Sequence, residues 1–293
     1  MNTPKHGDGQ ERIYQLVTDR IIAALEKGVV PWRKSWASGD VSMPVNFRSR
    51  KEYRGANVLM LMCSGYSSGY WLTFKQTAEL GGKVRTGEKG TPVVFWNFVE
   101  KPTDDPGRVK KIPFLKYYTV FNIAQCEGIK NDETAPEPVK PFVQIERAMQ
   151  IVDGMPNLPR IAGGSRRAAY SPSTDTVHMP DAEAFDVEQE YYSTLFHELV
   201  HSTGHKTRLN RDEVEAPVSF GSQSYSKEEL VAEMGAAFLC ADAGISNEVI
   251  DNQASYIDGW LSRLRKDKKL LLQAAGKAQR AADYIMDRKY EMQ

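Results

Sequence analysis

The sequence contains no run of about 18 apolar residues, the length that a membrane-spanning helix requires. Its first twelve residues are polar and lack the apolar stretch of a secretory signal. Cysteine is scarce, and Cys63, Cys126 and Cys240 are too widely spaced, and odd in number, for a disulfide framework or a cysteine-based zinc site. We therefore expect a cytoplasmic protein without a membrane partner, whose three thiols are buried and reduced.

Net charge is absent as well, because 38 Lys and Arg residues balance 38 Asp and Glu residues. The balance conceals an asymmetry, since residues 1–130 carry 20 basic and 12 acidic side chains, whereas residues 131–293 carry 18 and 26. A basic half suits a polyanion, because neutralising phosphates releases counterions. The asymmetry predicts two domains with different partners.

A segment with three prolines and clustered charges, residues 127–142, lies between the two halves and is typical of a linker. We place the first domain at residues 1–128, the linker at 129–142 and the second domain at 143–293. The first domain is predicted to be α+β, and the second to be mostly helical with a small sheet.

Apolar residues recur at helical spacing over residues 13–25, and Gly28 and Pro31 stop that helix. β-branched and aromatic residues in two later runs predict an antiparallel hairpin. The other predicted elements of the first domain are helices over 56–63 and 73–80, the latter with Thr73 as N-cap, and hairpin strands over 91–100 and 112–123, joined by a turn that contains Asp105, Pro106 and Gly107.

The second domain is predicted to contain several helices and one small meander. A helix over 226–244 begins with Ser226 as N-cap and has Glu229 three residues later, which is a capping box. The other predicted elements are helices over 142–153 and 188–204, one long or two short helices over 255–290, and a meander over 160–181.

The sequence HELVH at residues 197–201 carries the strongest chemical signal. On a helix, His197 and His201 project from one face one turn apart, so two neutral imidazoles can bind one Zn²⁺. Glu198 then lies beside the metal, where it can take a proton from metal-bound water and pass it to a leaving amine. Chance occurrence on an ordinary helix is the alternative, and the apolar neighbours together with Gly204 at the helix end argue against it.

Such a site needs a third ligand, for which two solutions are open. The first is His205, but the pattern H-E-x-x-H-x-x-G-x-x-H requires its last histidine at the position of Thr207, and His205 lies two residues before it. The favoured solution is Glu229 on a later helix, with Glu233 four residues on to orient a ligating histidine. Glu228 is a weaker alternative, because it lies about 100° around the helix from Glu229. We expect zinc as the metal, replaceable by manganese or another divalent cation.

A peptidase also stabilises an oxyanion, for which Tyr225, Tyr170 and His178 are candidates. Tyr225, just before the glutamate helix, is our choice as a catalytic residue beside Glu198. The extended piece over 168–170 is a candidate edge strand along which a peptide substrate aligns.

Cations and aromatic residues are interleaved between positions 31 and 96. Single-stranded nucleic acid is bound by this combination, because cations track the backbone and aromatic rings stack on unpaired bases. Any one of these aromatics is better explained as a core residue, whereas the cluster as a whole favours binding. The candidate DNA-binding residues are Trp32, Arg33, Lys34, Trp36, Asn46, Tyr53, Arg54, Asn57, Trp71, Lys75, Gln76, Lys83, Arg85 and Lys89.

Together these motifs resemble those of the ArdC-type antirestriction proteins of conjugative plasmids. The first domain is also similar to the N-terminal regions of some plasmid primases. The resemblance rests on the tryptophan pair near Pro31, on segments 44–46, 53–57, 71–76 and 82–90 of the first domain, and on segments 170–172, 179–180, 197–205, 208–209 and 228–233 of the second.

The resemblance implies that the first domain binds single-stranded DNA and that the second is a zincin-like metallopeptidase domain with a gluzincin-like site. It also implies a role in protecting incoming plasmid DNA from host restriction. The expected partners are single-stranded DNA and a host restriction enzyme or another protein substrate. Two alternatives stay open: a non-enzymatic DNA-coating protein whose metal domain is structural, and a DNA-associated repair peptidase.

Overall fold

The computed structural model describes residues 6–32, 43–66, 68–102, 109–129, 141–211, 223–245 and 254–289. The described residues of 1–31, 44–134 and 257–269 form a first compact unit, and those of 32–43, 135–256 and 270–293 form a second. None of the described helices is long and apolar enough to cross a membrane.

Helices dominate the second unit, and the longer strands belong to the first. The described helices are α1 (His6–Leu25), α2 (Ala56–Met62), α3 (Phe74–Glu79), α4 (Pro141–Asp153), α5 (Glu188–Ser202), α6 (Gln223–Ala243), α7 (Ala254–Lys266) and α8 (Leu270–Ile285). The described strands are β1 (Val45–Asn46), β2 (Tyr70–Thr73), β3 (Lys83–Val84), β4 (Thr91–Pro102), β5 (Val109–Asn122), β6 (Cys126–Glu127), β7 (Arg160–Ala162), β8 (Ala169–Ser171) and β9 (Thr176–His178).

The first unit is built around a four-stranded sheet with the strand order β1-β2-β5-β4. All 12 residues of β4 pair with β5 in antiparallel register, which confirms the predicted hairpin. β2 pairs only with residues 120–122 of β5, so most of the hairpin extends past β2. The predicted turn residues Asp105, Pro106 and Gly107 lie outside the described residues.

Local signals set the helix ends of this unit. The Thr73 hydroxyl accepts a hydrogen bond from the Gln76 amide at 3.2 Å, and the Gln76 side chain accepts one from the Thr73 amide at 2.9 Å. This capping box confirms Thr73 as the N-cap of α3. α1 ends at Leu25, and Gly28 follows with φ of 74°, a conformation that favours glycine.

The apolar core of the first unit joins residues of the sheet to α2. Its best-defined cluster joins a strand tryptophan to aliphatic residues of α2, β4 and β5. The members of this cluster are Tyr53, Leu61, Trp71, Val93 and Val120, each at most 6% exposed.

Residues 257–269 belong to the first unit although they are distant from it in sequence. The Arg265 guanidinium contacts the Glu26 carboxylate at 2.6 Å, and the Thr18 hydroxyl donates to the Lys268 carbonyl at 2.9 Å. The predicted stretch 255–290 forms two helices, α7 and α8. Of the predicted linker, residues 130–140 lie outside the described part of the chain.

A three-stranded sheet with the order β7-β9-β8 accompanies the helices of the second unit. β8 and β9 form an antiparallel hairpin, whereas β7 pairs with β9 in parallel. The predicted meander is therefore wrong in its pairing, because residues 163–168 carry the chain past β9 and leave β9 in the centre. β8 is an edge strand, as expected for the piece over 168–170.

Helices α5 and α6 approach each other closely. A Cβ atom at Gly235 on α6 would lie 2.7 Å from Cγ2 of Val200 on α5, so the contact requires glycine. α6 begins at Gln223, three residues before the predicted start. Ser226 therefore lies inside the helix, and its prediction as the N-cap is wrong, because no proline or glycine stops the helix over residues 223–225.

The three cysteines differ in their surroundings. Cys240 is buried on α6, and burial raises the pKa of its thiol to about 12. Cys63 and Cys126 are partly exposed. The expectation of three buried thiols is therefore correct only for Cys240.

Candidate metal centre

The two histidines of the HELVH segment lie on α5 and face one carboxylate of α6. The Nε2 atoms of His197 and His201 are 3.1 Å apart. The Glu229 carboxylate completes the group, with Oε2 at 3.6 Å from His197 Nε2 and Oε1 at 3.4 Å from His201 Nε2. Among the described residues, these three form the one group of three or more His, Cys, Asp or Glu whose ligand atoms lie within 4.8 Å of one another.

These distances suit a small divalent cation. Donors that surround Zn²⁺ tetrahedrally at about 2.0–2.2 Å lie roughly 3.3–3.6 Å from each other. The three observed separations are close to that spacing. Among the described residues, three protein donors meet at this point, which is the number that catalytic rather than structural zinc sites use.

The local charge favours a cation at this point. Burial alone would lower the pKa of His201, but the Glu228 and Glu229 carboxylates raise it to about 10. Burial alone would raise the pKa of Glu229, but its contacts with His197 and His201 hold it well below the usual value. A proton and a metal compete for the same nitrogens, so surroundings that stabilise a bound proton also stabilise a metal ion.

Behind His201 lies a buried carboxylate that the sequence did not assign to this position. Glu228 Oε1 is 3.4 Å from His201 Nδ1. Because an ionised carboxylate only accepts hydrogen bonds, this contact requires a proton on Nδ1, so the neutral form of His201 would direct its Nε2 lone pair toward His197 and Glu229. The alternative of Glu228 as the metal ligand is therefore wrong, because its oxygens meet the far side of the imidazole ring.

An arginine fixes that carboxylate. The Arg211 guanidinium donates to both oxygens of Glu228, at 2.5 and 3.1 Å, and both side chains are 6% exposed. Its remaining donors bind the Val200 carbonyl at 2.8 Å and the Thr203 hydroxyl at 2.6 Å. Burial alone would raise the pKa of Glu228, but His201 and Arg211 lower it, so Glu228 stays ionised.

Glu198 and Glu233 are both buried, at 8% and 5% exposure. The negative charge of Glu198 contributes to the raised pKa of His197 and His201, which is consistent with its predicted position beside the pair. Glu233 lies one turn beyond Glu229 on α6. Its role as an orienting carboxylate remains a prediction.

His205 lies just past the end of α5 and outside the group. Its Nδ1 atom is 2.8 Å from the Thr207 hydroxyl and accepts the Thr207 amide at 3.4 Å. The structure therefore brings Glu229, and not His205, to the histidine pair.

Of the oxyanion candidates, Tyr225 lies in the first turn of α6, and its side chain is not among those described. The Tyr170 hydroxyl donates to Asp175 at 2.8 Å, and Arg208 binds both oxygens of Asp175 at 2.7 and 2.9 Å. Burial and the Asp175 carboxylate together raise the pKa of Tyr170 well above its usual range. His178 is partly buried on β9.

Four candidate DNA-binding residues are buried. Trp32, Trp71, Tyr53 and Asn57 are 0–6% exposed. Asn57 donates to the Val94 carbonyl and accepts the Val94 amide, both at 2.7 Å, and so pairs with the outer edge of β4. Their prediction as nucleic-acid contacts is wrong, because the three rings are buried in the core and the Asn57 amide is buried against the Val94 backbone.

The other candidates lie at or near the surface of the first unit. Asn46 and Gln76 hydrogen-bond to each other at 3.1 Å. Arg54 is partly buried, whereas the remaining described cations are exposed: Lys75, Lys83, Arg85 and Lys89. Arg33, Lys34 and Trp36 lie outside the described residues.

Both units are similar to domains of known proteins. Residues 11–121 match the family model of the N-terminal domain of the anti-restriction factor ArdC, and residues 155–277 match that of a zincin-like metallopeptidase. Two crystal structures of the antirestriction protein ArdC from plasmid R388, one metal-free and one bound to Mn(II), superpose with TM-scores of 0.76 and 0.75. Both share 39% sequence identity with this chain and cover 94% of it, and the chain covers 99% and 97% of them.

This chain belongs to the ArdC antirestriction family. It is also 38% identical to the protein y4eC of Sinorhizobium fredii, with 97% of this chain and 95% of that protein covered. Two DNA primases named TraC from Escherichia coli are 35% identical over 93% of this chain. The chain spans only 27% and 20% of the length of those primases.

Membership of the ArdC family confirms the two-domain α+β architecture, with a zincin-like second domain. Within that domain, neither Arg211 nor the position of Glu228 behind His201 was predicted from the sequence. The one signal in the sequence is an arginine ten residues after His201, and it identifies no partner without the structure.

Proposed function

We propose that this ArdC-family protein is a metallopeptidase that binds single-stranded DNA and acts against host restriction. The observation that carries the peptidase proposal is the convergence of His197, His201 and Glu229 at 3.1–3.6 Å around one point. The Mn(II)-bound R388 relative supports a divalent metal in this fold. We propose zinc as the native ion and manganese as a competent replacement, because the donor set of two imidazoles and one carboxylate accepts both.

When bound, a divalent metal polarises the scissile carbonyl and acidifies a water molecule. The chain supplies the remaining functions. Glu198 accepts the proton of the attacking water and delivers it to the leaving amine. Glu228 keeps the Nε2 lone pair of His201 directed at the metal position. β8 is an edge strand of its sheet, the position at which an extended peptide can add as a further strand.

Binding of single-stranded DNA is proposed for the first unit. Support comes from the net basic charge of residues 1–130, from the exposed lysines and arginines and from the match to the ArdC N-terminal domain. Two DNA primases are 35% identical to this chain over 93% of its length, and this stretch includes most of the first unit. We further propose that the bound strand is the incoming DNA that the protein protects.

The test replaces Glu198 with Gln, which keeps the size of the side chain and removes the base. We expect metal binding and the unfolding temperature to be unchanged, while cleavage of a denatured protein substrate such as casein is lost. Protection of a transferred plasmid in a restricting host is then compared for wild type and variant. Loss of protection with Glu198→Gln supports proteolysis as the mechanism. Full protection by the variant would show that the protein protects DNA by occupying it.

A further inference from the structure

The first unit carries exposed aromatic rings that the sequence analysis did not single out. Among the described residues, the aromatic side chains that are exposed are Phe74, Phe95, Tyr117 and Tyr118, and all four belong to this unit. Phe74 is 65% exposed and Tyr117 is 55% exposed. Large apolar rings clustered at a surface mark a binding site more often than a stable bare surface.

Alternation along β5 divides these rings between two faces. Tyr117, Thr119 and Phe121 share one face, at intervals of about 6.6–6.8 Å, whereas Tyr118 lies on the other. The ring of Phe121 is 6.4 Å from that of Phe74, which lies at the start of α3. Phe74 and Phe121 are therefore neighbours, and Tyr117 lies about 13 Å from Phe121 on the same face, with Thr119 between them. We name these three rings the aromatic row.

Cations flank the aromatic row on two sides. Lys75 follows Phe74, is 87% exposed and lies 3.7 Å from the Glu79 carboxylate, in an exposed ion pair that a phosphate can replace. The loop that ends at Gly90 lies directly against the row, because a Cβ atom at Gly90 would overlap the Thr119 methyl group and touch the Phe121 ring. Lys89, the residue before this glycine, is exposed.

The charges around the aromatic row indicate which kind of ligand it binds. On β5, residues 115–122 contain no acidic side chain, and Lys116 lies on the face opposite to the aromatic row. Aromatic rings bordered by lysines are complementary to a polymer in which flat apolar groups alternate with negative charges. Unpaired nucleic acid has this character, because every base has a face that can stack and every linkage carries a negative charge.

We propose that unpaired bases of single-stranded DNA stack on Phe74, Phe121 and Tyr117, while Lys75 and Lys89 neutralise adjacent phosphates. The proposal rests on the DNA binding proposed above and names its contact surface. It transfers the stacking role from the buried tryptophans Trp32 and Trp71 to the aromatic row.

The test uses the full-length protein and a fluorescently labelled oligonucleotide of about 16 unpaired nucleotides, the upper end of the site size of a single-strand-binding fold. Binding is followed by anisotropy for wild type, Phe74→Ala, Tyr117→Ala and Tyr118→Ala. Tyr118 is the matched control, because it is the adjacent residue, of the same type and similar exposure, on the opposite face. Tyr117→Phe is included because it retains the ring.

We expect Phe74→Ala and Tyr117→Ala each to weaken binding by about 5- to 150-fold, the range for removal of one stacked ring. Tyr118→Ala and Tyr117→Phe should bind like wild type, and all variants should unfold at the wild-type temperature. Equal affinity of Tyr117→Ala and wild type, or equal losses at Tyr117 and Tyr118, would overturn the aromatic row while leaving DNA binding intact. A wild-type protein that does not bind the oligonucleotide would overturn both proposals.

Discussion

Replacement of Glu228 by Gln tests how the metal site is organised. The substitution keeps the shape of the side chain but removes the charge that holds His201 Nδ1–H and the Arg211 guanidinium. Partners of this kind behind a metal ligand typically contribute 10- to 100-fold to metal affinity. That range corresponds to about 1.4–2.8 kcal/mol. The loss should fall near the upper end, because Glu228 is buried and ionised.

The same substitution leaves the buried Arg211 charge without its carboxylate. Breaking one partner of a buried ion pair costs roughly 3–5 kcal/mol, so the free energy of unfolding should fall as well. The double variant Glu228→Gln, Arg211→Met removes the stranded charge and should recover part of that stability. It should not recover metal affinity, because the partner of His201 is still missing.

Metal affinity is measured by competition with a chelator of known affinity, and stability by urea denaturation of the metal-free protein. Glu233→Gln is the matched comparison, since Glu233 is an equally buried glutamate on the same helix. The reasoning requires the larger loss of affinity at Glu228. Unchanged affinity in Glu228→Gln, together with a large loss in Glu233→Gln, would refute it and would assign the orienting role to Glu233 alone.

Three further predictions concern the second unit. Gly235→Ala should lower the free energy of unfolding by about 1–3 kcal/mol in urea denaturation, because its Cβ meets Val200; unchanged stability would contradict this close packing. The Arg208 guanidinium lowers the pKa of Asp175, so this carboxylate should stabilise the fold at neutral pH and lose that effect as pH falls below about 4. Asp175→Asn should therefore flatten the acid side of the stability curve, and an unaltered curve would count against the pair. Cys240 should resist thiol reagents at neutral pH in the folded protein, and rapid labelling, detected by mass spectrometry, would disprove its burial.

Local chemistry explains what could be predicted from the sequence. The capping box of Thr73 and Gln76, and the one-turn spacing of His197 and His201, depend on residues three or four apart. Such patterns fix geometry without knowledge of the rest of the fold. The distance in sequence between Glu229 and the HELVH motif does not fix their geometry in this way. Glu229 was identified because the chain lacks a histidine at position 207.

The features that could not be predicted from the sequence depend on contacts between residues that are distant in the chain. A strand tryptophan such as Trp71 is equally compatible with a core and with a binding face until the sheet has been placed. The prediction that Glu233 orients a ligating histidine rests on its spacing of four residues from Glu229, and this spacing gave no reason to expect Glu228 near His201. The crossing of α5 and α6 brings Glu228 behind His201, where Arg211 can neutralise it.

The most direct test of the central claim is anomalous diffraction from crystals of the protein loaded with Zn²⁺, and separately with Mn²⁺. The account requires one strong peak at about 2.0–2.2 Å from His197 Nε2, His201 Nε2 and a Glu229 oxygen. The second coordination shell should show Glu228 against His201 Nδ1. A peak that lacks Glu229, or one that is bound by His205, would contradict the assignment of the metal centre.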